Sequence, residues 1–123
     1  MGGFLKLENL EIYQLSMETG EKIWTMVDRW DYLSKKTIGT QLIKAADSIA
    51  ANISEGFGRF HYKEAKQFSY YARGSLFETK TWLTKANKRN LLKQSEYEQI
   101  VKKIDALGVK LNNYINSIGR NNK

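Results

Sequence analysis

The side chains that could do chemistry in this sequence fall into three groups: one histidine, a few carboxylates near it, and a long series of lysines and arginines. His61 is the single histidine, so no two-histidine metal site forms within one chain. It is also the lone candidate base for a serine nucleophile. It follows the glycine-rich turn Gly56-Phe-Gly58, where a solvated loop histidine is the simpler reading. Glu55, Glu64 and Glu78 can be drawn as acid–base pairs, but carboxylates on charged helices are ordinarily solvated or ion-paired. Cysteine is absent, which removes disulfides, thiolate catalysis and cysteine metal ligands. Gly56-Phe-Gly58 follows a helical pattern and lacks the downstream lysine of a phosphate-binding loop. The Glu-x-x-His pairs of di-iron bundles are missing as well. The sequence therefore predicts no catalytic residue, no cofactor, no metal and no enzyme.

The basic residues carry the more useful signal. Arg59, Lys66, Arg73 and Lys80 recur every seven positions, with Lys63 beside them, and Tyr70 and Phe77 repeat at the same interval next to Tyr71. Cations of this kind neutralise phosphates, and aromatic faces stack on unpaired bases. Lys85, Lys88, Arg89 and Lys93 form a second cluster with no acidic residue among them, which makes it the better anion surface. Lys102 and Lys103, with Lys110, make a third. Glu64 and Glu78 screen Lys63, Lys66 and Lys80, and Arg73 has an internal partner available in Glu55 or Glu78. The candidate nucleic-acid contacts are thus Lys63, Lys66, Lys80, Lys85, Lys88, Arg89, Lys93, Lys102 and Lys103. The net charge of +7, from 20 basic against 13 acidic residues, fits a polyanionic partner such as RNA or DNA. Many helical proteins are equally basic without any such ligand.

These side chains must be positioned by helices. Proline is absent and no stretch alternates with period two, which favours long helices. The first apolar stripe, Leu10, Tyr13, Met17, Trp24 and Val27, predicts a helix over about 8–30, interrupted by Gly20. The second, Ile38, Leu42, Ala45, Ile49 and Ile53, predicts one over about 35–55, starting at Ser34 or Thr37 and ended by Gly56 and Gly58. The third runs over 62–88 along Ala65, Phe68, Ala72, Ser75, Thr79, Leu83 and Ala86. Its small residues, with Gly74 beside Ser75, suit close helix approach. The fourth covers 95–118: Ser95-Glu-Tyr-Glu98 reads as a capping box, and Gly119 as the C-cap before a polar tail at 119–123. Its stripe passes through Ile100 or Val101, Ile104, Leu107, Leu111, and Tyr114 or Ile115. Four such helices with short connections predict an all-α, antiparallel up-and-down four-helix bundle.

At 123 residues the chain is expected to form a single domain over 1–123. No run approaches the ~18 apolar residues of a membrane span, and the opening Met-Gly-Gly-Phe-Leu-Lys-Leu-Glu has no signal-peptide core. A cytoplasmic protein with no membrane association is expected. Tyr70, Tyr71, Phe77 and Trp82 go round the third helix and cannot all enter one core. At least one of them packs in a subunit interface or an exposed patch.

One line of polar residues stands apart. Ser48, Asn52 and Glu55 follow one another at four- and three-residue spacing and share one side of the second helix. Around them, Gln41-Leu42, Ala45-Ala46, Ser48-Ile49, Asn52-Ile53, Glu55-Gly56 and Gly58-Arg59 are followed by Ala72-Arg-Gly-Ser-Leu76 and Glu78. This pattern, over about Gln41 to Leu83, resembles the four-helix bundle family encoded by intervening sequences inserted in 23S ribosomal RNA genes. Lys44 stands where that family usually has arginine, Ser54 where alanine is common, and no proline precedes the second helix. The resemblance implies an up-and-down bundle assembling as a ring-like homo-oligomer, a pentamer. It also implies kinship with the accessory proteins of diversity-generating retroelements, basic pentamers that bind nucleic acid and a reverse transcriptase. Asn52, Glu55, Arg59, Arg73, Ser75 and Glu78 become its signature polar set. With Ser48, these residues are expected to form a structural network that fixes how helices two and three meet, leaving nucleic-acid contact to the lysines. A protein–protein scaffold without nucleic-acid binding is the alternative.

Overall fold

Apolar residues at three- and four-residue spacing become four helices that pack against one another: α1 (Glu11–Asp28), α2 (Thr40–Phe57), α3 (Tyr62–Lys88) and α4 (Gln94–Ser117). The face that α1 buries is Ile12, Ser16, Ile23, Met26 and Val27, which leaves Met17 and Trp24 of the expected stripe exposed. The computed structural model describes residues 6–119, so the expected polar tail beyond Gly119 lies outside the described residues. The arrangement is a four-helix bundle in which α1 neighbours α2 and α4, and α3 neighbours α2 and α4. Helices α1 and α3 thus occupy opposite corners. Cross-helix pairs run in reverse order, Lys80 with Asp105 but Arg73 with Asn112, so α3 and α4 are antiparallel. Glu18 with Lys103 and Glu11 with Lys110 set α1 against α4 in the same way.

The core is aliphatic. Ile23, Leu42, Ile49, Ile53, Leu83, Ile104, Leu107, Leu111 and Ile115 are almost wholly enclosed. The stripe of α4 therefore passes through Ile100 and Ile115, with Val101 and Tyr114 only partly buried beside it. Buried hydroxyls bond within their own helices: Ser16 Oγ donates to the Ile12 carbonyl at 2.6 Å, and Thr79 Oγ1 to the Ser75 carbonyl at 2.8 Å. These hydroxyls are satisfied without tying one helix to another.

Several local expectations are corrected. The first helical region is broken at Leu10, whose extended backbone separates a 3-10 turn at Leu7–Asn9 from α1. Gly20 does not interrupt α1. It is buried, and a Cβ there would lie 2.8 Å from Asp47 Oδ1, so the glycine permits the approach of α2. The second helical region begins at Tyr32, earlier than Ser34 or Thr37, because Asp31 caps it by accepting from the Ser34 amide at 3.2 Å and the Ser34 hydroxyl at 2.7 Å. A π-helical turn, Lys35–Gly39, follows before α2 proper. Its wider coil seats Gly39 where a Cβ would come within 2.7 Å of Val27 Cγ1.

Gly56 and Gly58 do not terminate α2 through unusual conformations. Gly58 has φ −80°, and Gly56 lies inside the helix. A Cβ on Gly56 would sit 3.0 Å from the Ala65 carbonyl oxygen and 3.0 Å from Phe68 Cβ. This glycine is required by the crossing of α2 with α3, not by backbone dihedrals. The capping box at Ser95–Glu98 does not form, since the N-cap of α4 is Lys93, without a side-chain bond to the helix. The left-handed positions are Asn90, at φ 59°, and Gly119, at φ 74° just past the cap residue Ile118. At the end of α3 the Leu91 amide donates to the Ala86 carbonyl and the Asn90 amide to the Asn87 carbonyl. This is a Schellman closure with asparagine in the glycine position.

Candidate nucleic-acid interface

The nine candidate cations divide according to whether a carboxylate already holds them. Lys80 Nζ lies 2.8 Å from Asp105, and Lys103 Nζ lies 2.7 Å from Glu18. Both reach across to a neighbouring helix, and the bond to Lys103 holds the Glu18 carboxyl below its ordinary pKa. These two lysines tie the bundle at its α3–α4 and α1–α4 seams. An isolated exposed pair contributes little to stability, but each such lysine has less charge to offer a phosphate.

Lys63, Lys66, Lys85, Lys88, Arg89, Lys93 and Lys102 have no carboxylate within ion-pair distance among the described residues. Four of them are gathered by the α3–α4 connection. Lys85 and Lys88 occupy the last turn of α3, Arg89 is its C-cap, and Lys93 is the N-cap of α4. The Schellman closure at Asn90 folds the chain back so that all four project at one end of the bundle. Lys85 and Lys88 also offset the negative end of α3's dipole, while Lys93 adds to the positive end of α4. Beside Lys93 lies a shallow hollow of about 270 Å³ lined by Trp30, Leu91, Leu92 and the Arg29–Glu96 pair. Lys63 stands in the first turn of α3, at the opposite end, and Lys102 stands on α4. The structure therefore assembles one compact unneutralised cluster and leaves the remaining candidates dispersed.

The family model for the 23S rRNA-intervening sequence protein matches residues 8–113. The chain belongs to this family. A crystal structure of a protein of unknown function from the S23 ribosomal protein family of Bacteroides thetaiotaomicron superposes with a TM-score of 0.77 at 19% identity. The match covers 85% of this chain and 97% of the other, a likeness of fold. Comparison with curated proteins gives no match.

The signature residues of this intervening-sequence protein do not join into one network within the chain. Ser48 Oγ donates to the Lys44 carbonyl at 2.7 Å, and Asn52 Nδ2 to the Ser48 carbonyl at 2.9 Å, both along α2. Glu55 pairs with Arg59 at 2.8 Å, one turn away, and the Arg59 guanidinium lies over the Phe68 ring at 4.7 Å. Arg73 bonds neither Glu55 nor Glu78. It donates to Asn112 Oδ1 on α4 at 3.0 Å and stacks over Tyr70 at 4.8 Å. Glu78 accepts from the Trp82 indole at 3.1 Å, and Ser75 offers its carbonyl to Thr79. Near the α2–α3 turn the two helices meet instead at Gly56, where a Cβ would come within 3.0 Å of the Ala65 carbonyl oxygen and of Phe68 Cβ.

The partners that sequence reasoning missed are Asp105, Glu18 and Asn112. Antiparallel pairing of the third and fourth stripes would have put Lys80 opposite Asp105, so the signal for that one was present. His61 is exposed at the N-cap of α3, edge-on to Phe60 at 5.1 Å. No described hydroxyl or carboxylate is hydrogen-bonded to it. Among the described residues no group of three histidines, cysteines or carboxylates could hold a metal, and no helix is long and apolar enough to cross a membrane.

Proposed function

We propose that this 23S rRNA-intervening sequence protein is a non-catalytic homo-oligomer that binds nucleic acid, RNA or DNA, through the basic end of the bundle formed by Lys85, Lys88, Arg89 and Lys93. One observation carries the reading: these four cations are exposed, adjacent and unpaired among the described residues, whereas Lys80 and Lys103 are held by carboxylates. A chain of net charge +7 with such a cluster gains counterion-release free energy on meeting phosphates. Trp30 and Leu92 are buried beside the cluster, so the contact is electrostatic and tolerant of sequence. A ring-like pentamer, which the resemblance implies, would repeat the cluster around one rim and multiply weak contacts.

The test is a salt titration of binding to a structured RNA and to a duplex DNA of equal length, read by fluorescence anisotropy. Affinity is expected to fall linearly with salt on logarithmic axes. Neutralising all four residues to glutamine lowers the slope by about 0.9 for each duplex phosphate that is no longer neutralised. Absence of binding at low salt, or a slope untouched by the substitutions, would refute the reading. The second reading, a protein–protein scaffold, is favoured by the exposed Tyr70, Tyr71 and Phe77 on α3. It predicts an assembly that purifies free of nucleic acid and binds none.

A further inference from the structure

Two unlike surfaces on opposite corners of the bundle are left unfinished. On α3, the outward line Tyr70–Gly74–Phe77 is uncovered: Tyr70 is 45% and Phe77 60% exposed. A Cβ on Gly74 would meet nothing within 4 Å. A glycine in an exposed helix interior costs about 1 kcal/mol relative to alanine, and no contact within the chain requires it. Arg73, beside Gly74, donates to the neutral amide of Asn112 and lies over the Tyr70 ring, with no carboxylate within ion-pair distance among the described residues.

On the other side, α1 and α2 leave a groove whose rim carries Met17, 46% exposed, and Trp24, 56% exposed. Part of this groove, about 340 Å³, is lined by Met17, Glu21 and Asp47 over the small residues Ala50, Ala51 and Ser54. Trp24 continues the same rim beside Ile43. Neither Glu21 nor Asp47 has a cationic partner among the described residues. Desolvation, and then the Glu21 charge, push the Asp47 carboxyl above its ordinary pKa.

The two surfaces match in spacing and in charge. Tyr70 and Phe77 are seven residues apart, about 10.5 Å along a helix, and so are Met17 and Trp24. Midway along one pair stands Arg73, and midway along the other stand Glu21 and Asp47. We propose that the Tyr70–Gly74–Phe77 line of one copy seats in the α1–α2 groove of a second copy, with Gly74 allowing close approach and Arg73 facing the Glu21–Asp47 pair. The contact is heterologous, because each copy contributes a different face, and such contacts propagate from copy to copy, closing into a ring when the rotation between copies allows it. The inference rests on the homo-oligomeric part of the proposed function and names its interface.

The test uses two variants of the full chain, Phe77→Glu and Trp24→Glu, measured by light scattering after size exclusion, with helical circular dichroism recorded on each. Each variant alone is expected to weaken assembly by about 30-fold or more, as loss of an interface anchor does, and to run near the monomer mass of 14.3 kDa. Mixed in equal amounts, they should form a one-to-one pair, since one retains an intact ridge and the other an intact groove. If either glutamate lowers helicity, Tyr70→Ser and Met17→Ser give the same readout. A mixture that stays monomeric, or single variants that keep the wild-type mass, overturns the proposal. A monomeric wild type would end the homo-oligomer reading along with it, whereas an oligomer indifferent to these substitutions would end this proposal alone.

Discussion

Adding one methyl group at Gly56 and at Gly74 should move stability in opposite directions. Both glycines lie inside helices, so alanine gains about 1 kcal/mol of helix propensity at either site. At Gly74 the new Cβ meets nothing within 4 Å, and that gain stands alone. At Gly56 it meets the Ala65 carbonyl oxygen and Phe68 Cβ, each at 3.0 Å. Both belong to the backbone or its first side-chain atom, so neither swings away, and α3 must shift. Overpacking of this kind costs about 1–3 kcal/mol. Two rigid contacts at one site argue for the upper half of that range, giving a net loss of about 1–2 kcal/mol for Gly56→Ala.

An unfolding entropy of about 2.1 cal/mol/K per residue over the chain makes 1 kcal/mol worth about 4 °C in Tm. Gly74→Ala should therefore raise Tm by up to about 4 °C, and Gly56→Ala should lower it by about 4–8 °C. The assay is thermal unfolding by circular dichroism on a Phe77→Glu background, where the proposed intermolecular contact of Gly74 is absent. Equal increases at both positions would refute the account of Gly56 as a crossing-point residue.

Three further outcomes follow from local geometry. Asn90, at φ 59°, tolerates the left-handed region that alanine enters at a cost of about 1 kcal/mol. Asn90→Ala should lower Tm, Asn90→Gly should not, and equal melting of the two would contradict the closure described. Hydrogen bonds from Ser34 hold the Asp31 carboxyl below its ordinary pKa. Its contribution is present above the unfolded value of about 3.9 and is lost as pH falls through the folded one. Asp31→Ala should thus destabilise at neutral pH, with the deficit narrowing in acid; a pH-independent deficit would argue against the cap. Asp47 has the opposite sign, because desolvation and Glu21 raise its pKa. Asp47→Asn should stabilise the unassembled chain above the folded pKa, an advantage that fades on acidification, and loss of stability at neutral pH would contradict this.

The fold class was legible because apolar spacing is a property of single helices. Ile38, Leu42, Ala45, Ile49 and Ile53 announce a buried stripe without reference to any other segment, and the structure buries all five. On α1 the spacing misled, since Met17 and Trp24 are exposed while Ile12, Ile23 and Met26 are buried. Most other misreadings concern what lies between helices. Gly20 and Gly56 look like breaks in a one-dimensional pattern, yet each marks a place where another helix presses close. The π turn at Lys35–Gly39, in which Gly39 lies close against Val27, is likewise invisible to a period of 3.6. Asp31 was the exception: a carboxylate three residues before Ser34 is a local start signal and was available to be read.

The polar signature illustrates the same difference at the level of the candidate site. Side chains that share one helical face need not share partners. Ser48 and Asn52 bond along α2 itself, Glu55 takes Arg59 from the turn after it, and Arg73 turns to α4. What does divide the charged residues is their position relative to the seams of the bundle. Lysines beside a seam, such as Lys80 and Lys103, find carboxylates on the adjacent helix. At the α3–α4 connection the nearby carboxylate, Glu96, is already paired with Arg29, and Lys85, Lys88, Arg89 and Lys93 stay exposed. Arg73 falls between these cases, at a seam but opposite the neutral Asn112. A guanidinium placed there without a carboxylate, next to a glycine that no contact among the described residues explains, is what the proposed contact with a second copy would account for.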